Sequence, residues 1–291
     1  MLTVMTWNLE NLERPAASAT AAARDAYTEK LDQILSVIVA AEPDLVGVQE
    51  VLAPATDLAP QAFGDLVAKL GQLTGTGWNG RLSQIPDGRG IRVGWLSPGQ
   101  LTDPTDTAAY PTKVPPVVVD DTGQTITASK RGALAVTYTH SDGVPVHALT
   151  AHFKSKLLTF PGRNPDQPRF DTRDEGERAR YGLYALAQRA AEAATARAWA
   201  TNQLQSDGGQ HHRVLLCGDL NDTPRRPPPK SCSARPDHNW APAASPNPTK
   251  ATRTGCGTSP PPCHQLTQTP ANPRPTGPAS TTAPPSSLTR Y

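Results

Sequence analysis

Five polar residues, each at or near the end of an apolar run, have types that could do chemistry together. Asn8 follows residues 2–7, Glu50 stands in 45–51, and His152 follows 144–151. Asp219 and Asn221 follow 213–217 in Gly218-Asp219-Leu220-Asn221-Asp222. Carboxylates and amides are oxygen donors of the kind that Mg²⁺ takes while keeping several waters. A histidine beside them could exchange protons or donate to a phosphate oxygen. Asp219 and Asn221, two apart, can point the same way from an extended segment. Taken singly, each is an ordinary turn or strand-end residue. Lys154 and Lys156 could meet phosphates or be solvated, and Arg131 is equally open.

The elements that must position these side chains follow from apolar spacing. Residues 2–7 alternate and predict a strand, with 8–11 as a loop. Leu31, Ile34, Leu35 and Ile38 recur at helical spacing within 22–41, and Pro43-Asp44 stops that helix. The short apolar run 45–51 reads as a buried central strand. Residues 60–73 predict a second helix. Strands are expected over 91–96, 133–139 and 144–151, with Ser141-Asp142-Gly143 as a hairpin turn. A long Ala- and Arg-rich helix over 175–205 alternates in charge, which predicts an exposed face with i,i+4 pairs. Gly208-Gly209 closes it, His211-His212 falls in a loop, and 213–217 is another strand. The segment 159–174 reads as a surface loop. Helices between some strands and hairpins between others predict an α/β (α+β) fold, two mixed sheets packed face to face with helices outside.

The chain has 291 residues and a net charge of +2, but the charge is split. Residues 1–224 hold 20 Lys+Arg and 25 Asp+Glu, a net of −5; residues 225–291 hold 8 and 1, a net of +7. The second part contains 16 of the 31 prolines and no Val, Ile, Met, Phe or Glu. It cannot bury enough apolar surface to offset its ordering entropy, so a Pro-rich, basic, disordered tail is expected. Four origins compete: a natural basic arm, a metal site at Cys256, Cys263 and His264, a bland end, or a shifted reading frame. The last has coding support. With suitable codons, Lys230–Ala234 reads Ile-Leu-Leu-Gly in another frame, and the same offset restores acids further on. No apolar run approaches the ~18 residues of a membrane helix. The first residues lack the charged flank and long apolar stretch of a signal peptide, so a cytoplasmic location is expected unless a leader was lost; a monomer is expected as well. Of four cysteines only Cys217 lies in the expected domain, which argues against a disulfide framework.

Four pieces of text in this order carry a resemblance: Thr6-Trp7-Asn8, Val48-Gln49-Glu50, Thr150-Ala151-His152 and Gly218-Asp219-Leu220-Asn221. Together they resemble the endonuclease/exonuclease/phosphatase, or DNase I-like, superfamily over residues 1–224. The resemblance implies a four-layer α/β sandwich and a Mg²⁺-dependent attack of water on a phosphoester, with Mn²⁺ as a substitute. Glu50 would hold the metal and Asn8 would assist at the metal or phosphate. Asp219 would orient the attacking water, Asn221 would hold phosphate or Asp219, and His152 would contact the phosphate or serve the leaving group. Glu10 stands where some members keep an acid. The substrate would be nucleic acid or a small phosphodiester.

One departure matters. The family ends on a strand followed by an Asp-His pair, and here the only such dipeptide is Asp237-His238, among prolines and close after Asn221. The fold is therefore expected to be incomplete at its C-terminus and the hydrolase impaired. The alternative is an inactive remnant or a polyanion-binding protein using the basic tail.

Overall fold

Alternation in the first apolar run builds β1 (Val4–Leu12), and helical spacing builds α1 (Ala21–Ala41). In the computed structural model, residues 1–53, 61–160, 174–205 and 210–222 are described, all within a unit spanning Met1–Pro228. The expected tail, its frame and its incompleteness, and Gly208-Gly209, lie outside the described residues, as does most of the 159–174 loop. Thr20 caps α1 by accepting from the Ala23 N–H at 3.2 Å, and Glu42 ends it at φ 45° before Pro43. The buried residues of α1 are Leu31, Ile34, Leu35 and Ile38, the four that spacing singles out.

The chain continues through β2 (Leu45–Leu52), α2 (Gln61–Thr74), β3 (Asn79–Leu82), β4 (Ile91–Ser97) and β5 (Leu101–Ala109). A small hairpin, β6 (Val117–Val118) and β7 (Thr125–Ile126), precedes β8 (Ala128–Thr139), β9 (Pro145–His152), α3 (Glu175–Gln205) and β10 (Arg213–Asp219). One sheet has the order β1-β2-β4-β3 and the other β10-β9-β8-β5. Each has one parallel pair, β1 with β2 and β10 with β9, bridged by a helix, and two antiparallel pairs. Both sheets are therefore mixed, as expected.

Period-2 alternation sorts the strand residues into layers. Val46 and Val48 face α1 and α2, in a core with Leu35, Ile38 and Leu66. Leu45 faces the other sheet, packing with Trp95, Val136, Val146 and Ala148. On the far side Leu149, Ala151 and Phe153 meet Ala196 of α3. The result is helix, sheet, sheet, helix, the four-layer sandwich. Between the sheets, a Cβ on Gly47 would stand 2.9 Å from Cys217 Sγ and 3.1 Å from Thr150 Oγ1, so no larger residue fits without displacing its neighbours. The Trp95 indole N–H also crosses the gap, donating to the Leu134 carbonyl at 2.9 Å. Cys217 is a free thiol whose pKa burial pushes up to about 11. Among the described residues no helix is long and apolar enough to cross a membrane.

Three expectations need correction. Residues 8–11 are not a loop: β1 runs through them with an irregular register, because Leu9 and Leu12 are buried under α1. Glu10 and Asn11 absorb the kink at φ 49° and 56°. Second, the sequence pattern predicts no strand where β5 runs, since Leu-Thr-Asp-Pro-Thr-Asp-Thr-Ala-Ala is polar; β5 is an edge strand, where Pro104 needs no ladder partner for a missing N–H. Third, the charges of α3 are not all on an exposed face. Glu177 and Glu192 are buried, and Arg180 and Arg189 reach other elements, Asp121 and the Lys154 carbonyl. The ion pair described within α3 itself, Arg178–Glu175, is at i,i+3 rather than the expected i,i+4.

Candidate active site

Each parallel strand pair ends at the same rim. In the first sheet Asn8 pairs in register with Gln49, and in the second Asp219 pairs with His152. Glu50 is turned toward them by a bulge: Val48 opposes Gly94 and Val51 opposes Arg92, so two residues of β2 face one of β4. Its φ of 59° is the left-handed conformation this requires. Beneath the rim, buried Gln49 ties the sheets together, its Nε2 donating to Thr6 Oγ1 at 3.2 Å and Thr150 Oγ1 at 3.0 Å.

All five expected residues meet here. Asn8 Nδ2 donates to Glu50 Oε1 at 3.1 Å and to Asp219 Oδ2 at 3.0 Å. Asn8 Oδ1 accepts from the Glu10 N–H at 2.9 Å, and Glu50 Oε2 accepts from the Asn11 N–H at 3.1 Å. His152 Nε2 stands 3.8 Å from both Glu50 Oε1 and Asp219 Oδ2. Asn221, at φ 51°, donates its backbone N–H to Asp219 Oδ1 at 2.9 Å and its side chain to the Phe153 carbonyl at 2.9 Å. Thus Asn221 holds Asp219. Glu10 contributes its backbone.

Burial, then the charge of Arg131, lowers the His152 pKa to about 4, against the pull of Asp219 and Glu50. The imidazole is therefore neutral at pH 7, and two acceptors facing Nε2 favour the Nε2–H tautomer. Burial raises Asp219, but the Asn8 amide, the Asn221 N–H, His152 and Arg131 more than offset it, so its carboxyl stays below the usual range. A pH dependence follows. An unfolded histidine takes up its proton near pH 6.5, the folded one near 4. Between those values the unfolded chain binds more protons, so stability is present above about 6.5 and is lost as pH falls toward 4. In EDTA, His152→Gln should flatten the fall of Tm across that window; a variant with the wild-type slope would remove His152 as its cause.

Arg131 is left open by the sequence and proves close to the centre. Its Nε bonds Asp87 Oδ2 at 2.8 Å, and Asp87 Oδ1 also accepts from the Arg89 and Ile91 N–H groups at 2.8 and 3.0 Å. Burial raises Asp87, but these partners hold its carboxyl below the usual range. The alternating charge of α3 assigns Glu192 to a solvated face, but it is buried and accepts the Lys154 N–H at 2.6 Å, fixing the segment after His152. Its pKa is raised, by burial. Asp87 reads locally as a turn residue that accepts from the Arg89 and Ile91 N–H groups, and its ion-pair partner Arg131 is 44 residues on; the backbone partner of Glu192 is likewise 38 residues away. Lys154 Nζ is tied to the Leu157 carbonyl at 2.8 Å, whereas Lys156 makes an exposed ion pair with Asp222 at 2.9 Å. His212 does not join the site. Its Nδ1 lies 2.7 Å from Nε2 of His147, at the opposite end of β9. A cleft of about 480 Å³ opens beside His152 and is bordered by Lys130, Arg131, Lys154 and Tyr184.

A rim of carboxylates, amides and a neutral histidine on a four-layer mixed-sheet sandwich defines a phosphoesterase type of scaffold. The sequence profile described as the Endonuclease/Exonuclease/phosphatase family matches residues 5–288, and the chain belongs to that family. No curated protein matches it. Among solved structures it is similar to a Danio rerio TDP2 humanized by 14 mutations, at 15% identity over 77% of this chain and 67% of that one, TM-score 0.41. TDP2 from Caenorhabditis elegans is similar at 15% identity over 76% and 48%, TM-score 0.41. ANGEL2, a 2′,3′-cyclic phosphatase solved with adenosine-2′,3′-vanadate, is similar at 12% identity over 78% and 55%, TM-score 0.48. The chain spans about half to two thirds of the length of these structures.

Proposed function

We propose that the protein is a Mg²⁺-dependent phosphoester hydrolase of the phosphodiesterase or nuclease type, impaired in proton transfer. One observation supports this above others: the Glu50 and Asp219 carboxylates converge on a single amide nitrogen of Asn8, with a neutral His152 facing both. Such an all-oxygen donor pair fits a hard ion held by one or two carboxylates and otherwise by water. Carboxylate and amide oxygens with no thiolate among them suit Mg²⁺, or Mn²⁺ in its place, better than Zn²⁺. When bound, the ion supplies charge neutralisation at the phosphoryl oxygens.

Glu50 would hold the ion, and Asn8 would assist by aligning Glu50 with Asp219. Asp219 Oδ2 would accept a hydrogen bond from the attacking water and orient it, with Asn221 fixing the carboxylate. His152 Nε2–H would donate to a phosphate oxygen, and Arg131 would add positive charge at close range. Among the described residues only His152 pairs with either carboxylate. Asp237-His238 lies outside the described residues. The sequence lacks the terminal strand with its Asp-His pair that the resemblance leads one to expect, so we expect turnover about 10²–10⁴-fold below that of a relative with the pair.

The test is hydrolysis of bis(p-nitrophenyl) phosphate by the full chain. Slow turnover that EDTA abolishes and Mg²⁺ or Mn²⁺ restores is expected. Turnover indifferent to EDTA, or none at any ion concentration, would overturn the reading. Salt-sensitive polyanion binding without turnover would favour the binding-protein alternative instead.

A further inference from the structure

The helix α3 turns an exposed apolar seam outward. Ala185, Gln188, Glu192 and Thr195 are buried on the side packed against the second sheet. On the opposite side Ala179, Leu183, Leu186, Ala190, Ala193 and Arg197 are exposed, four and three residues apart in alternation. That alternation is the spacing of a coiled-coil seam. Leu183 and Leu186 are 62% and 54% exposed, one turn apart. From Ala179 to Ala193 the seam holds no charge, over about 21 Å of helix. Arg180 and Arg189 stand at its flanks but are turned away, to Asp121 and to the Lys154 carbonyl. Gly182 lies at its edge, and a Cβ there would meet nothing within 4 Å. Glycine inside a helix is less favourable than alanine. No neighbour within the chain requires it, whereas a second backbone approaching from outside would.

The order of residues along the seam selects what covers it. The two leucines occupy its first half and two alanines its second, with exposed Glu175 before it and exposed Arg197 at its end. We infer that α3 pairs antiparallel with α3 of a second copy of this chain, about a two-fold axis passing between Leu186 and Ala190. Leu183 then rests on Ala193 of the second copy and Leu186 on Ala190 of the second copy, so every layer sets a large residue against a small one. Glu175 comes within reach of Arg197 of the second copy, and the two helix dipoles oppose. The axis repeats each contact, so a seam complementary to itself in reverse is what an isologous interface needs. A parallel pairing would set leucine on leucine, alanine on alanine and Glu175 beside its own copy. A lipid surface would call for bulky residues along the whole seam and cations directed along its flanks. Residues 225–291, with no Val, Ile, Met or Phe, have no run to match it. One helix pair is smaller than the roughly 800 Å² per partner of a standard interface, so the dimer is weak and reversible. This inference does not depend on the hydrolase reading.

Sedimentation equilibrium on the full chain tests it. Between about 1 and about 200 µM the mean mass should rise from that of one chain toward that of two. Leu186→Glu, altered only at an exposed side chain, should weaken association at least about tenfold and leave Tm unchanged at about 1 µM. Glu175→Arg and Arg197→Glu should each weaken it severalfold, and the two together should restore it, because the swap rebuilds the pair across the axis. A chain that stays single throughout overturns the proposal, and so does a Leu186→Glu variant that associates like wild type. A double swap that fails to restore association overturns the antiparallel pairing. Binding to phosphatidylcholine vesicles in place of self-association would give the seam to a lipid surface and overturn it too.

Discussion

Glu50→Gln should lower ion-dependent turnover by about 10²–10³-fold while leaving the ion-free chain at least as stable as wild type. The two effects separate because Glu50 is a poor residue for the fold and a good one for the site. Its φ of 59° in a strand bulge is a conformation that costs a non-glycine residue on the order of 1–3 kcal/mol. Its Oε1 and the Asp219 Oδ2 lie 3.1 and 3.0 Å from one amide nitrogen, so two carboxylates face each other across a single donor. Removing one charge relieves that repulsion, and the glutamine can still accept from the Asn11 N–H. What it cannot supply is a charged oxygen for a divalent ion. Turnover against Mg²⁺ concentration and Tm in EDTA check both halves. A variant keeping more than a tenth of the turnover, or losing several degrees in EDTA, would make Glu50 a structural residue.

The site's membership was legible in the sequence because each residue stands at or near the end of an apolar run and within a short motif. His152 and Asp219 end β9 and β10, Asn8 and Glu50 stand at the irregularities of β1 and β2, and parallel pairing of β1 with β2 and β10 with β9 brings the four to one rim. What each residue touches was not legible. That Asn8 lies between two carboxylates depends on a register and a bulge, and a one-residue slip would turn its side chain to the other face. Arg131, Asp87 and Glu192 were hidden for a related reason. A charge on a helix such as α3 reads as solvated unless the packing partner is known, and the partner of Glu192 is the Lys154 backbone, 38 residues earlier. In the fold, strands with buried faces were visible and the edge was not. β4, buried at every residue, stands out as an apolar run; β5, half solvated and broken by Pro104, does not.

Gly218→Ala should destabilise the protein by roughly 3–5 kcal/mol, the largest stability effect expected of a methyl group here. Gly218 opposes Ala151 in the parallel pairing of β10 with β9, one residue before Asp219 and His152. Its φ of 137° is one that side-chain-bearing residues rarely adopt. A Cβ there would overlap the Ala151 carbonyl oxygen and stand 2.8 Å from the Ala151 nitrogen, so backbone, not a flexible side chain, would have to move. The strand ends would part. The Phe153 N–H would leave the Asp219 carbonyl, 3.0 Å away, and the Asn221 side chain would leave the Phe153 carbonyl. At about 2–4 °C per kcal/mol for a domain of this size, Tm should fall by about 10 °C. Any folded fraction should lose turnover too, because Asp219 is no longer fixed beside His152. Thermal unfolding in EDTA, read beside bis(p-nitrophenyl) phosphate hydrolysis, measures both. If Tm falls by less than 2 °C, the close approach of β10 to β9 does not depend on glycine, and another force must hold Asp219 in place.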